Sequence, residues 1–271
     1  MFANIRIGFV GGGNMGEALI RGFLAASLFS SNQISVFDVI SERLEYLRQQ
    51  FGIQTALSST ALVENCEVVI LAVKPQTMAR VLDTIHGHLN HKPLVLSIAA
   101  GIPLSFLEAT LPAKTPIIRV MPNTPALVQQ AASALARGAC ASDADMHMAI
   151  ALFEAVGKAV EVEEKSMDAV TGLSGSGPAY LLLLLESLID AGVLMGLPRT
   201  TARELVVQTA LGTATMLAQG DKHPGELKDQ ITSPGGTTIH GLRILEERGV
   251  RGALMAAVQT ATQRSLELGS K

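Results

Sequence analysis

The chain has 271 residues, 48% of them hydrophobic and 17% charged, and its 21 basic against 24 acidic side chains leave a net charge of −3. That length supports two domains with a sizeable core, while the near-balanced charge and ample apolar content exclude a disordered acidic tail and speak against a nucleic-acid binder. A protein that handles small molecules is expected. Cys66 and Cys140 fall in separate predicted elements without CxxC spacing, and the six histidines form no HExxH motif, so free thiols and no metal site are expected. Residues 1–4 lead straight into the first apolar run with no room for a secretory leader, which makes a cytoplasmic protein the expectation.

The first half alternates short apolar runs with helical stretches, the pattern of a parallel sheet with crossover helices. Strands are predicted at 5–10, 33–37, 68–73, 94–98 and 117–121. A strand at 133–137, a helix over 143–155 and a strand near Val160 follow, and the texture changes at 161–164. Between the first strand and the helical run 17–26 stands G-x-G-x-x-G, as Gly11, Gly13 and Gly16, and Asp38 ends the second strand 22 residues after Gly16. In that context the glycines serve a tight turn, close approach of backbone to a pyrophosphate, and close packing of helix on strand. The phosphates are expected on the free N–H groups at the helix start, where the dipole favours negative charge. An acid at the position of Asp38 takes a ribose 2′-hydroxyl, whereas a 2′-phosphate requires a cation such as Arg43, so NADP(H) and NAD(H) both stay open. The loops Ala72-Val73-Lys74-Pro75 and 97–101 follow strands whose carboxyl ends border the ligand crevice, and they should line the nicotinamide half; Lys74 either brings charge there or is a plain loop residue. Around Asn123 and Thr124 two prolines make a rigid turn presenting short polar groups, or simply end the sheet.

From Met167 onward only helices are predicted: 168–171, a long apolar one at 179–197, 199–219, 225–229, 238–247 and 251–268. Pro178 suits the first turn of the long helix, and Gly196-Leu197-Pro198 ends it. Leu181 to Leu185 leaves no polar face, so this helix must be covered almost all round. A membrane span is the rival explanation, but Glu186 and Asp190 interrupt the run, so no membrane is expected. Self-association through a second copy of the helical domain is the common solution. Further on, Ser233-Pro234-Gly235-Gly236-Thr237-Thr238 gathers backbone N–H groups and three hydroxyls at a helix start, an anion cradle suited to a carboxylate; the bland alternative is a capping turn in which Thr237 merely begins a helix. The fold class is α/β: an N-terminal Rossmann-like doubly wound parallel sheet over 1–162, followed by an all-helical substrate and dimerisation domain over 163–271.

Taken together these stretches resemble the pyrroline-5-carboxylate reductase family over nearly the whole chain: GFVGGGNMGEAL from Gly8, AVKPQ at 72–76, SIAAGI at 97–102, RVMPNTPALV at 119–128, VTGLSGSGPAY at 170–180, and HPGELKD with TSPGGTTIHGL within 223–242. The resemblance implies reduction of 1-pyrroline-5-carboxylate to L-proline by hydride from NAD(P)H, commonly NADPH. It implies a dinucleotide on Gly11, Gly12, Gly13, Asn14 and Met15, with Asp38, on Ala72, Val73, Lys74 and Pro75, and on Ala99 and Ala100. The substrate carboxylate is implied on Ser233, Gly235, Gly236, Thr237 and Thr238, with the Thr238 hydroxyl reaching the ring nitrogen. Gln230 departs from the pattern, standing where some members carry Asn. An interlocked homodimer, built further into a ring of dimers, is also implied, with the 233–238 loop near the partner's cofactor crevice. Imine reduction needs two molecules positioned and one hydrogen bond, not a nucleophile, which suits a chain lacking a Ser-His-Asp or Cys-His arrangement. A β-hydroxyacid dehydrogenase resembles this outline but carries a catalytic lysine on the interdomain helix, and 179–197 contains none. A noncatalytic NAD(P)-binding protein is the other alternative.

Overall fold

The structure is a computed structural model that describes residues 2–269. Eight strands and twelve α-helices follow one another as β1 (Ile7–Val10), α1 (Asn14–Ala25), β2 (Ile34–Phe37), α2 (Ser41–Phe51), β3 (Gln54–Thr55), α3 (Ser59–Val63), β4 (Val68–Leu71), α4 (Met78–Ile85), β5 (Leu94–Ser97), α5 (Leu104–Thr110), β6 (Ile117–Met121), β7 (Ala131–Arg137), α6 (Asp143–Glu154), β8 (Gly157–Glu161), α7 (Met167–Val170), α8 (Gly177–Leu194), α9 (Arg199–Gln219), α10 (Pro224–Gln230), α11 (Thr237–Glu247) and α12 (Val250–Gly269). The chain divides into two compact units, Gly177–Gln259 and the remainder, which takes in everything up to Ser176 and from Thr260 on.

In the larger unit all eight strands form one sheet in the order β3-β2-β1-β4-β5-β6-β7-β8. The central strands Ile7–Val10, Val68–Leu71 and Leu94–Ser97 are buried at every position, because helices cover both faces of a parallel sheet. Alternate residues feed two cores. Phe9 and Ile70 pack with Leu19, Phe23, Leu47 and Phe153 from α1, α2 and α6, while Val10, Val69 and Leu71 pack with Leu62, Leu82 and Leu107 from α3, α4 and α5. Since β1 lies between β2 and β4, the chain reverses its direction of winding there, and a crevice opens beyond the carboxyl ends of those strands.

Two features depart from the sequence expectation. The sheet is not wholly parallel: β6 and β7 run antiparallel, with Ile118 opposite Arg137 and Met121 opposite Ala134. Only residues 122–130 join them, too few for the crossover of about a dozen residues that a parallel pair requires. The strand β3 was absent from the sequence pattern because its two residues are exposed and carry no apolar signal. Elsewhere local chemistry sets the boundaries, as at α6, where Ser142 Oγ accepts from Asp145 N and Asp145 returns the bond to Ser142 N, a capping box.

The smaller unit is helical. Helices α8 and α9 lie close enough that a Cβ on Gly192 would come 3.0 Å from Ala202 Cβ. Helix α8 stops at Leu194, three residues before the expected end, because Gly196 turns left-handed at φ +95° and Leu197 N–H bonds back to Gly192 O. No residue of α8 is buried within the chain, and Leu182 and Leu183 stand 66% and 64% exposed. Among the described residues the helical run Glu164–Leu194 is long and apolar enough to cross a membrane, by length and composition.

Candidate active site

The glycine loop after β1 explains its own composition. Gly11 sits at φ +105°, and a Cβ there would fall 2.6 Å from Ala72 O, so the turn requires glycine. A Cβ on Gly16 would meet Gly11 O at 3.0 Å, which keeps α1 tight against the loop. Gly13 differs: it is the residue before α1, with φ −64° and ψ −176°, no side chain caps the helix, and nothing lies within 4 Å of an added Cβ. The free first-turn amides of α1, beginning at Asn14 and Met15, therefore sit beside open space, which is where a pyrophosphate fits.

Both polar groups of the Gly12 peptide are held by side chains from across the sheet. Its N–H donates to Asp38 Oδ2 at 2.7 Å, and its carbonyl accepts from Arg43 Nε. Arg43 also donates to Glu17 Oε2, and its guanidinium lies 5.0 Å from the Tyr46 ring centroid. Glu17, 8% exposed in the first turn of α1, additionally accepts from Arg21 at 2.7 Å. Burial alone would raise its pKa, but the hydrogen bonds and charges of Arg43 and Arg21 outweigh that and hold the carboxyl below its ordinary value. Arg43 is thus neither a solvated helix charge nor a free phosphate ligand; it braces the loop.

Two of the clefts in this unit are bordered by the predicted cofactor residues. One, of about 380 Å³, is lined by Gly11, Asp38, Ser59, Val73 and Arg80 among others. The second, of about 520 Å³, is bordered by Pro75, Gln76, Ala100, Gly101, Thr171 and Arg264. Gly11, Asp38 and Val73 are therefore brought together at one cleft, and Pro75 and Ala100 at the other. Ala72 lines neither of these clefts but lies against Gly11 of the glycine loop, and Ala99 is buried. The Lys74 side chain is exposed and makes no ion pair among the described residues, leaving its ammonium free.

Asn123 corrects the sequence expectation of a turn presenting its polar groups. It is only 9% exposed, donates from Nδ2 to Ser174 O at 3.0 Å and accepts at Oδ1 from Ala132 N at 2.9 Å, tying the start of β7 to the π-helical turn Thr171–Gly175. Its short amide matches two backbone groups that would otherwise be buried unpaired. Two further residues escaped sequence reasoning. Arg119, in the apolar strand β6, pairs with Glu164 at 2.8 Å, and the same carboxylate oxygen accepts from Leu104 N, just beyond the 97–101 loop. The signal was present: a charge between Ile118 and Val120 demands a buried partner.

In the helical unit the residues 233–238 form a turn closed by Gly236 N–H to Ser233 O at 3.1 Å, with Gly235 at φ +67°. A Cβ on Gly236 would lie 2.3 Å from Ser233 Oγ, so a side chain there would have to turn the Ser233 hydroxyl aside. The residue preceding α11 is Gly236, and no side chain caps the helix. Thr237 does begin the helix, and with no side chain capping it Thr237 and Thr238 occupy a first turn whose backbone N–H groups have no acceptor within the helix.

Two family models match the chain. Residues 6–101 match the family model described as NADP oxidoreductase coenzyme F420-dependent, and residues 164–268 match pyrroline-5-carboxylate reductase dimerisation. A pyrroline-5-carboxylate reductase of Methanosarcina acetivorans is 46% identical over 268 residues, 99% of each chain. Among solved structures, a pyrroline-5-carboxylate reductase from Coxiella burnetii superposes with a TM-score of 0.93 at 33% identity, covering 97% of this chain and 98% of its own. The Plasmodium falciparum pyrroline carboxylate reductase with NADP bound gives 0.89 at 34% identity, covering 99% of this chain and 100% of its own. On this full-length identity, the chain belongs to the pyrroline-5-carboxylate reductase family.

Proposed function

We propose that this chain reduces 1-pyrroline-5-carboxylate to L-proline with NAD(P)H, the last step of proline biosynthesis. The observation that carries the reading is the steric necessity of glycine at Gly11 beside the open space at Gly13, where the first-turn amides of α1 suit a pyrophosphate. Gly11, Gly12, Gly13, Asn14 and Met15 hold the phosphates, Asp38 the adenosine ribose, and Ala72, Val73, Lys74, Pro75, Ala99 and Ala100 the nicotinamide half. The dinucleotide, when bound, supplies the hydride. Ser233, Gly235, Gly236, Thr237 and Thr238 hold the substrate carboxylate through N–H groups and hydroxyls at the positive end of α11. The Thr238 hydroxyl orients the ring nitrogen; its pKa lies too far above neutrality for it to be a strong acid, and the basic imine carries its own proton.

The functional division follows 1–162 for the dinucleotide and 163–271 for substrate and association. The working form is a homodimer that covers α8, extended to a ring of dimers, in the cytoplasm and without a membrane. The deciding experiment follows the absorbance of reduced nicotinamide with pyrroline-5-carboxylate added. Oxidation that depends on the imine supports the reductase; cofactor binding without imine-dependent oxidation would leave a noncatalytic dinucleotide-binding protein.

A further inference from the structure

The adenosine end of the dinucleotide cleft carries a selection that the family resemblance does not supply. Asp38 ends β2 and lines the cleft of about 380 Å³ together with Val39, Ser59 and Arg80. Each of its carboxylate oxygens is fixed by a backbone donor, Oδ2 by Gly12 N at 2.7 Å and Oδ1 by Ile40 N at 3.0 Å. The negative charge cannot rotate out of the way without releasing the phosphate loop. The cation that would normally offset it on the segment after β2 is Arg43, and Arg43 is committed to the Gly12 carbonyl and to Glu17. Arg80 on α4 lines the cleft without an ion pair among the described residues, but it is exposed, so water screens its attraction more than it screens the anchored Asp38.

We propose that this cleft selects a free ribose 2′-hydroxyl, so that the chain binds NADH more tightly than NADPH, with Asp38 as the discriminating residue. A 2′-hydroxyl donates to the carboxylate, whereas a 2′-phosphate meets a fixed like charge with no free cation on the same segment. The inference rests on the dinucleotide reading given above.

Calorimetric titration of the intact protein with ADP-ribose and with 2′-phospho-ADP-ribose tests it without any turnover. The expected result is at least about tenfold tighter binding of ADP-ribose, narrowing as salt is raised. Asp38→Asn, which keeps an acceptor for Gly12 N–H, should shrink the gap to about threefold or less, and Glu17→Gln, which releases Arg43, should tighten the phosphorylated ligand selectively. Equal or tighter binding of 2′-phospho-ADP-ribose by the unmodified chain overturns the proposal, as does a gap that neither salt nor a folded Asp38→Asn variant alters. If neither nucleotide binds, the dinucleotide reading itself fails, an outcome distinct from reversed preference.

Discussion

Substituting Gly11 and Gly13 by alanine separates what the fold needs from what a ligand needs. At Gly11 the backbone φ of +105° strains an L-residue by about 1–2 kcal/mol. The new Cβ would also press on Ala72 O at 2.6 Å and Ala72 C at 2.8 Å. These are backbone atoms, and hydrogen bonds pin both sides of the contact: Gly11 N–H goes to Phe37 O and Ala72 N–H to Val10 O. Overpacking of that kind adds about 1–3 kcal/mol. The sum, roughly 2–5 kcal/mol, should lower the melting temperature by about 5–20 °C in a chain of this size. At Gly13 the same change meets nothing within 4 Å, at a φ of −64° that alanine adopts freely. Only a weaker helix cap is lost, under about 1 kcal/mol. With a pyrophosphate bound the substitution is no longer mild, because the methyl occupies the space beside the first-turn amides. ADP-ribose affinity should then fall at least tenfold, about 1.4 kcal/mol, while the melting temperature moves by no more than about 4 °C. Thermal melts and calorimetric titration on the two variants provide the comparison. A Gly13→Ala protein that binds ADP-ribose as well as the parent refutes the placement of the phosphates, and a Gly11→Ala protein of parental stability refutes the steric argument.

Five other outcomes are expected. Thr238→Ala should slow turnover about tenfold to a hundredfold, the loss of one hydrogen bond to a charged ring worth about 1.5–3 kcal/mol, with the melting temperature unchanged; parental kinetics would remove Thr238 from the site. A thiol reagent at neutral pH should modify Cys140, which is exposed, and spare buried Cys66 until the chain unfolds. Burial pushes the Cys66 thiol from 9.0 up to about 12, so the folded chain keeps a proton that the unfolded chain releases: the stability contribution is complete below pH 9.0 and declines as the pH climbs toward 12, whereas a Cys66→Ala melt should lose that alkaline decline. Leu182→Arg with Leu183→Arg on α8 should yield monomers in sizing chromatography, where the parent elutes as a dimer or larger; a parent that runs as a monomer at micromolar concentration contradicts self-association. Finally, Glu164→Ala strands Arg119, whose side chain is 5% exposed, and leaves Leu104 N–H without its acceptor, so a denaturant melt should show a loss of about 2–4 kcal/mol.

What the sequence made legible, and what it did not, divides by the range of the interaction. Gly11 and Gly235 answer backbone requirements that hold at one position, a positive φ, so the residue type itself records the requirement. The same is true of the central strands, whose unbroken apolar runs state that both faces are covered. The antiparallel β7 was legible in principle, since residues 122–130 cannot contain a crossover, but the apolar pattern of 133–137 is indifferent to strand direction. Arg43 read as a phosphate ligand or a solvated charge because its bond to the Gly12 carbonyl depends on a residue 31 positions away, and the bond that Asp38 accepts from Gly12 N–H, 26 positions away, was hidden for the same reason. Arg119 declared only that a partner must exist, and Glu164 stands 45 residues on.

Helix α8 is the extreme case of that rule, because its complement lies outside the chain altogether. Its leucine circumference is recorded residue by residue, and within one chain α9 leaves no residue of α8 fully buried: Leu194 remains 84% exposed. Each fully buried leucine contributes about 1.5–3 kcal/mol, so a partner surface that covers four of them, about 6–12 kcal/mol, is of the same size as the association penalty of about 4–15 kcal/mol. A protein that left such a face to solvent would aggregate, and one that inserted it in a bilayer would have to desolvate Glu186 and Asp190, the latter already paired with Arg199 at 2.8 Å. The dimerisation match over residues 164–268 covers this helix from end to end, which makes burial against a second copy the arrangement that keeps the leucines dry and the carboxylates wet.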